Sequence, residues 1–323
     1  MLKKVTRWIV QTHKDICRSL SNRGRGISLL VPFHSSSDND QRVVNWRWLR
    51  EYWEAHLPGA ELVIGDDTDV PFSKAVAMNR AAAQAKGDIF VLLDADCYVS
   101  PEVIVNCAGE IREARNEGHR LWFVPYRMFY RLTKESSNRV LISSPKNPLQ
   151  FSTPPHETEV LDTASSQIGH WYGAMLQIMP REAFETVGGM DPRFRGWGGE
   201  DHAFMRAVDT LYWKHKATNN QVLHIWHPMI SPEGVQEWVS WRDRMWVGQT
   251  SSGDNDALSG RYYGAHRDVA RMRKLVEEGF EFERRRIEER KCREREERER
   301  KERERREREE HERRCHHHHH RSV

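Results

Sequence analysis

Three short apolar runs separated by helical patterns constrain this chain more than any other feature. Ile27-Ser28-Leu29-Leu30-Val31 ends at Pro32, Glu61-Leu62-Val63-Ile64 stops at Gly65-Asp66-Asp67, and Asp88-Ile89-Phe90-Val91-Leu92-Leu93 runs into Asp94-Ala95-Asp96. Each reads as a buried strand entering a loop. Between the first two, Gln41–Leu57 carries Val44, Trp48, Leu49 and Trp53 at helical spacing. Between the second and third, the Ala-rich stretch Ser73–Lys86 reads as a helix with Ser73 as N-cap. Strands alternating with helices predict an α/β fold with a doubly wound, mostly parallel central sheet flanked by helices. Ligands of such sheets bind outside the carboxyl ends of the strands. Here those ends are Pro32-Phe33-His34, Gly65-Asp66-Asp67 and Asp94-Ala95-Asp96, which together make an acidic crevice.

The charge is unevenly spread. Of 323 residues, 51 are Lys or Arg and 48 Asp or Glu, a net of +3, yet residues 281–314 alone hold 16 Lys+Arg and 14 Glu. The remainder has the charged fraction of an ordinary soluble protein. We therefore expect three regions: a basic lead-in over 1–25, an α/β domain over 26–265, and a Glu/Arg-rich helical or disordered tail over 266–323 that ends in a His run. A near-zero net charge argues against broad nucleic-acid binding. The only apolar cluster in the first 26 residues is Trp8-Ile9-Val10, too short for a secretory signal. No window approaches the ~18 apolar residues of a membrane span. Five cysteines without a CxxC pair suggest neither a disulfide framework nor a zinc knuckle, so a reducing cytoplasm is the expected compartment.

Residues 118–170 are less regular. Leu121–Val124 and Met128–Leu132 read as a strand pair, and Ser143–Pro155 as a long loop of the kind that often carries function.

Two constellations carry chemistry. Asp94 and Asp96, one residue apart after a buried strand, can hold a hard divalent cation while leaving room for phosphate oxygens. A bare DxD is more often an acidic surface turn; its place after a third parallel strand, with Asp66 and Asp67 ending the second, favours the metal. The second constellation is Gly196-Trp197-Gly198-Gly199-Glu200-Asp201, preceded by Gly188-Gly189-Met190-Asp191. The glycines allow close backbone approach to a ligand, Trp197 offers a flat face to a sugar ring, and the acids can bind a hydroxyl and take its proton. The same acids also suit the first turn of a helix.

The ordered set Phe72–Asn79, Asp94-Ala95-Asp96, Tyr172 through Gly189, Trp197-Gly198-Gly199-Glu200-Asp201 and His224-Ile225-Trp226-His227-Pro228 resembles the GT-A glycosyltransferases. It is most similar to the β-1,4-galactosyltransferase type, the polypeptide N-acetylgalactosaminyltransferase-like relatives and family 2 glycosyltransferases, over residues 26–230. The resemblance implies Mn²⁺ (or Mg²⁺) as cofactor, with Asp94, Asp96 and His224 as the metal set. In that set Asp96 coordinates and Asp94 lies near the nucleotide ribose; His227 is the alternative to His224. It implies donor-nucleotide contacts from Pro32, Phe33, His34, Asp66, Asp67, Lys74, Asn79 and Asp94. The family often has Arg where His34 and Ser36 stand, which leaves the base open. Trp171, Gly173, Trp197, Gly198, Gly199 and Glu200 would contact the acceptor or the sugar. Glu200 would hold an acceptor hydroxyl and Asp201 would act as general base.

The implied function is metal-dependent transfer of a sugar from a nucleotide-diphosphate donor, UDP-linked, to a hydroxyl on a glycan, a protein or a modified base. Asp rather than Asn at 201 favours inversion. A non-catalytic nucleotide-sugar or glycan-binding module tethered by its tail is the alternative. A nucleotidyltransferase would want a Gly-rich phosphate loop after the first strand, and Val31–Ser35 offers none.

Other conspicuous residues have plainer readings. Trp46, Trp48 and Trp53 share one helix and read as packing, and Cys97 reads as a small buried hydrophobe. In the tail, opposite charges at i,i+3 and i,i+4 support a solvated single helix or a partly disordered spacer, and protein contacts are the expected role. From Glu283 to Arg314 only Ile287 and Cys292 could serve a coiled-coil seam. The run His316–His320 admits both adventitious metal binding and an added tag.

Overall fold

The first strand, β1 (Ile27–Pro32), is buried along its whole length. It pairs in parallel with β2 (Glu61–Gly65), Ser28 opposite Glu61, and with β3 (Ile89–Leu93), Ile27 opposite Ile89. The computed structural model describes residues 21–35, 40–69, 71–165, 175–196, 198–231, 234–236 and 253–319. Helix α1 (Gln41–His56) connects β1 to β2 and is capped by the Asp40 side chain, which accepts from Arg42 N. Helix α2 (Lys74–Gln84) connects β2 to β3, with Ser73 accepting from Val76 N at its start. The β-α-β-α-β unit read from the sequence is thus present. A Cβ at Gly65 would sit 1.8 Å from the Ala77 carbonyl oxygen, so glycine there lets α2 lie directly on the end of β2.

The following elements are β4 (Cys97–Tyr98), α3 (Pro101–Asn116), β5 (Phe123–Leu132), α4 (Lys134–Ile142), β6 (Val160–Ser165), β7 (Leu176–Pro180), α5 (Arg181–Thr186), α6 (Glu200–Leu211) and β8 (Lys216–His224). A small hairpin, β9 (Met229–Ser231) and β10 (Gly234–Gln236), precedes α7 (Gly253–Ala265) and α8 (Val269–His319). The main sheet runs β2-β1-β3-β7-β5-β8-β4, with β6 paired to β5. From the pairings, β1, β2, β3, β5 and β8 share one direction while β4, β6 and β7 oppose it.

The expected strand pair at 121–132 is one strand instead. Pro125, which lacks an amide hydrogen, lies between the two expected segments. It falls where the register with β8 shifts between Val124 and Tyr126, and β5 meets β7 only at Phe123 before taking β6 as neighbour from Met128. The change of partner absorbs the missing donor.

The core bears out the reading of the tryptophans in α1. Trp46, Trp48, Leu49, Tyr52 and Trp53 are all buried. Trp48 stacks on Tyr52 at 5.5 Å, Tyr52 meets Tyr98 edge-on at 5.4 Å, and the Tyr52 hydroxyl donates to the Val99 carbonyl at 3.0 Å. This aromatic layer seats α1 against the short strand that follows the acidic turn. Burial of each ring is worth roughly 2–3 kcal/mol.

Contacts divide the chain into residues 1–276 and 277–323. In the first unit, Met272 and Leu275 of α8 are buried, and Arg193 Nη2 donates to the Leu275 carbonyl at 2.9 Å. In the second, the described side chains are largely exposed and i,i+4 ion pairs such as Lys301–Glu297 at 2.7 Å line the helix. Among the described residues, no helix is long and apolar enough to cross a membrane.

Candidate active site

The acidic turn after β3 is held by backbone bonds. Asp94 N donates to the Met175 carbonyl at 3.0 Å, and Ile225 N donates to the Asp96 carbonyl at 2.7 Å. Cys97 opposes His224 in the β4–β8 pair. That register sets the Asp96 carboxylate against the end of β8, 3.5 Å from His224 Nε2 and 3.0 Å from His227 Nε2. The two imidazoles are 5.1 Å apart. One ligand atom from each of Asp96, His224 and His227 lies within 4.8 Å of the others.

The electrostatics suit a cation. Burial works against ionisation of Asp96, but the His224 and His227 imidazoles and the Arg42 guanidinium outweigh it and hold the carboxyl below its usual range. Burial lowers His224 to about 3, so its ring is neutral and keeps a lone pair for coordination. His227 Nδ1 lies 2.9 Å from the Pro228 carbonyl. That contact fixes the ring so that Nε2 faces Asp96.

The composition of this group differs from the expected set of Asp94, Asp96 and His224. The structure brings both histidines to Asp96 and turns Asp94 away to Lys74, whose Nζ is 2.5 Å from Asp94 Oδ1. The same ammonium is 2.8 Å from Asp201 Oδ2. Lys74 thus ties the turn after β3 to the start of α6. Burial opposes its charge, but Asp201, Asp94 and Glu200 raise its pKa well above the ordinary value. Burial also drives the carboxyls upward: Glu200 to about 7, with Asp201 adding to the effect, and Asp201 to about 6, with Lys74 pulling the other way. Glu200 Oε2 is buried without a hydrogen-bond partner, an acceptor that a bound hydroxyl can satisfy.

Backbone geometry explains why glycines precede these acids. Gly198 and Gly199 have φ of 101° and 92°, the left-handed region that L side chains avoid. A Cβ on Gly199 would also press on Phe194 and Ser259 at 3.1 Å. The turn delivers Glu200 and Asp201 into the first turn of α6, where the helix dipole favours negative charge.

Other expected residues lie at the strand ends or on α2, and the structure shows their contacts within the chain. Pro32 closes β1; Phe33 packs on Trp46 at 6.0 Å. His34 Nδ1 is 2.7 Å from Asp66 Oδ1, both partly exposed, and its ring stacks over Phe72 at 6.5 Å. Asp67, expected at the nucleotide, is fully buried. It accepts from Ser73 N at 3.0 Å and pairs with Arg195 at 3.0 Å, fixing the start of α2. Asn79, also expected there, spends its amide on Met190, donating to the carbonyl and accepting from the amide at 2.8 Å each. Trp171, Gly173 and Trp197 lie outside the described residues.

Tyr126 escaped the sequence reading. It is buried on β5, and burial together with Asp201, Cys97 and Asp94 raises its hydroxyl well above the usual range. Its phenol is thus within electrostatic reach of the same carboxylates. A lone aromatic in an apolar strand gives no motif by which to find it.

Two family models match the chain: glycosyl transferase family 2 over residues 63–162, and the N-terminal domain of galactosyltransferase over residues 169–224. No curated protein matches. Among solved structures, the catalytic domain of Drosophila β1,4-galactosyltransferase 7 with xylobiose is 12% identical, covering 73% of this chain and 79% of that one at a TM-score of 0.38. GalNAc-T7 with UDP, GalNAc and Mn²⁺ is 16% identical, covering 78% of this chain and 54% of that one at 0.43. A mannosyltransferase from Pyrobaculum calidifontis with GDP-Man and Mn²⁺ is 12% identical, covering 80% and 74% at 0.38.

Proposed function

We propose that this chain, a glycosyltransferase of the GT-A type, moves a sugar from a nucleotide-diphosphate donor, UDP-linked, to a hydroxyl acceptor with inversion. The observation that carries the reading is the juxtaposition, at one end of the sheet, of an Asp-His-His group with a buried lysine and two raised carboxyls. A mixed nitrogen and oxygen donor set with a neutral His224 fits Mn²⁺, and Mg²⁺ less well. Asp96, His224 and His227 would hold the ion. When bound, it supplies a positive charge that offsets the negative charge of the leaving diphosphate.

The remaining work falls to side chains of the chain. Asp201 takes the acceptor proton at a carboxylate oxygen as the acceptor oxygen attacks the anomeric carbon. Its raised pKa makes it a better base at neutral pH than an exposed aspartate. Glu200 accepts a hydrogen bond from the acceptor through the otherwise unsatisfied Oε2. Lys74 holds Asp201 and Asp94 in place and limits how far burial raises them.

Thermal shift with a panel of nucleotide sugars and Mn²⁺ identifies the donor, since saturating ligand raises the melting temperature. Labelled-sugar transfer then tests the reaction. Activity should vanish in chelator and in Asp96→Ala. Asp201→Asn should abolish transfer and leave donor binding within about twofold. Full turnover in either variant overturns the corresponding role. Donor binding by the wild type with no transfer or hydrolysis under any condition would favour a binding module.

A further inference from the structure

Arg42 lies in the first turn of α1, the helix to which the segment bearing His227 is tied. Asn45, one turn on and fully buried, donates through Nδ2 to the Trp226 carbonyl at 3.0 Å and accepts from Gln41 Nε2 at 2.9 Å. The Arg42 Nε is buried and has no hydrogen-bond partner, and among the described residues no carboxylate forms an ion pair with its guanidinium. Its charge nevertheless reaches Asp96 and His224. Arg131 is the other cation felt at His224.

Arg42 is half-buried, and its buried Nε–H lacks an acceptor that a bound ligand can supply. Asp96 is not that partner: it is engaged by two histidines and, on the proposed function, by the metal. The remaining anion of such a reaction is the donor diphosphate. The planar fork of arginine matches phosphate oxygens in a way that a point charge does not.

We infer that Arg42 is a donor-binding residue whose guanidinium takes the diphosphate beside the Asp96-His224-His227 group. This rests on the proposed function, because it needs a diphosphate donor at that group. The competing account makes Arg42 only a counter-charge to Asp96 in the metal-free protein. The two accounts differ in sign. On the second, removing Arg42 strengthens Mn²⁺ binding and leaves nucleotide affinity equal or better.

The test is calorimetry on the full chain, first with Mn²⁺ alone, then with UDP, UMP, GDP and GMP in saturating Mn²⁺. Arg42→Ala should bind Mn²⁺ at least as tightly as wild type. It should bind the preferred diphosphate about tenfold or more weakly, with a much smaller loss for the matching monophosphate. Arg42→Lys, which keeps the charge but loses the fork, should recover part of the affinity. An Arg42→Ala protein that binds the diphosphate as tightly as wild type overturns the assignment. Should that variant fail to fold, Arg42→Gln is read in the same way. A wild type that binds neither UDP nor GDP with Mn²⁺ overturns the donor reading itself, a result distinct from an unaffected variant.

Discussion

Lys74 governs the charge state of the carboxyls around it. Burial pushes Asp201 up to about 6 while Lys74 pulls it down, so Lys74→Gln should raise it further. A base works only when deprotonated, and the acid limb of kcat/KM against pH should therefore move to higher pH in that variant. A limb that stays in place would show that another group titrates. Glu200 yields a stability prediction of definite sign. Its folded pKa of about 7 lies above its unfolded value, so its contribution to stability is full below the unfolded pKa and is lost as pH rises through 7. Glu200→Gln should thus raise the melting temperature at about pH 8 and change little at about pH 5, a gain on the order of 1–3 kcal/mol. Asp94, Asp96, Glu200 and Asp201 were legible in the sequence because each sits at a strand end or after a glycine turn. Arg42 and Tyr126 were not, because their meaning depends on partners far away in the chain. The sequence marks Asp67 and Asn79 as positions without saying whether the side chain turns to the crevice or to the backbone, and in the structure both bond to backbone groups.

At the scale of elements, the helix between β1 and β2 does more than cover the sheet. Its Asn45 anchors the Trp226 carbonyl, and Ser137 on α4 accepts from Trp226 N at 2.8 Å. The two bonds hold the residue before His227 from both sides. Asn45→Ala should therefore weaken Mn²⁺ binding by roughly tenfold without unfolding the protein, a loss of ligand support rather than of a ligand. Calorimetry with Mn²⁺ alongside circular dichroism would check both halves. The β-α-β-α-β unit was readable because period and turn chemistry agree over Ile27–Leu93. The insertion of antiparallel β7 between β3 and β5 was not, since pairing order is set by long-range contacts that leave no local pattern. Pro125 makes the same point: whether a missing amide hydrogen breaks a strand depends on what lies beside it.

For the molecule as a whole, the division into residues 1–276 and 277–323 separates two kinds of stability. The first unit rests on a buried core. The second rests on side-chain charges at helical spacing, which salt screens. In about 1 M NaCl the full chain should lose helical ellipticity at 222 nm, and a chain ending at Val276 should lose far less. Equal losses would place the salt-sensitive structure in the first unit. The lysine that spans Asp94 and Asp201 has a consequence at this scale too. While its ammonium occupies both carboxylates, the proposed base is engaged by a group of its own chain, and an acceptor arriving alone meets a partner already taken. On the proposed function, a donor whose charge falls beside Asp94 would draw that ammonium from Asp201. Donor before acceptor would then be the order of arrival, with wasteful capture of the acceptor in an empty site suppressed.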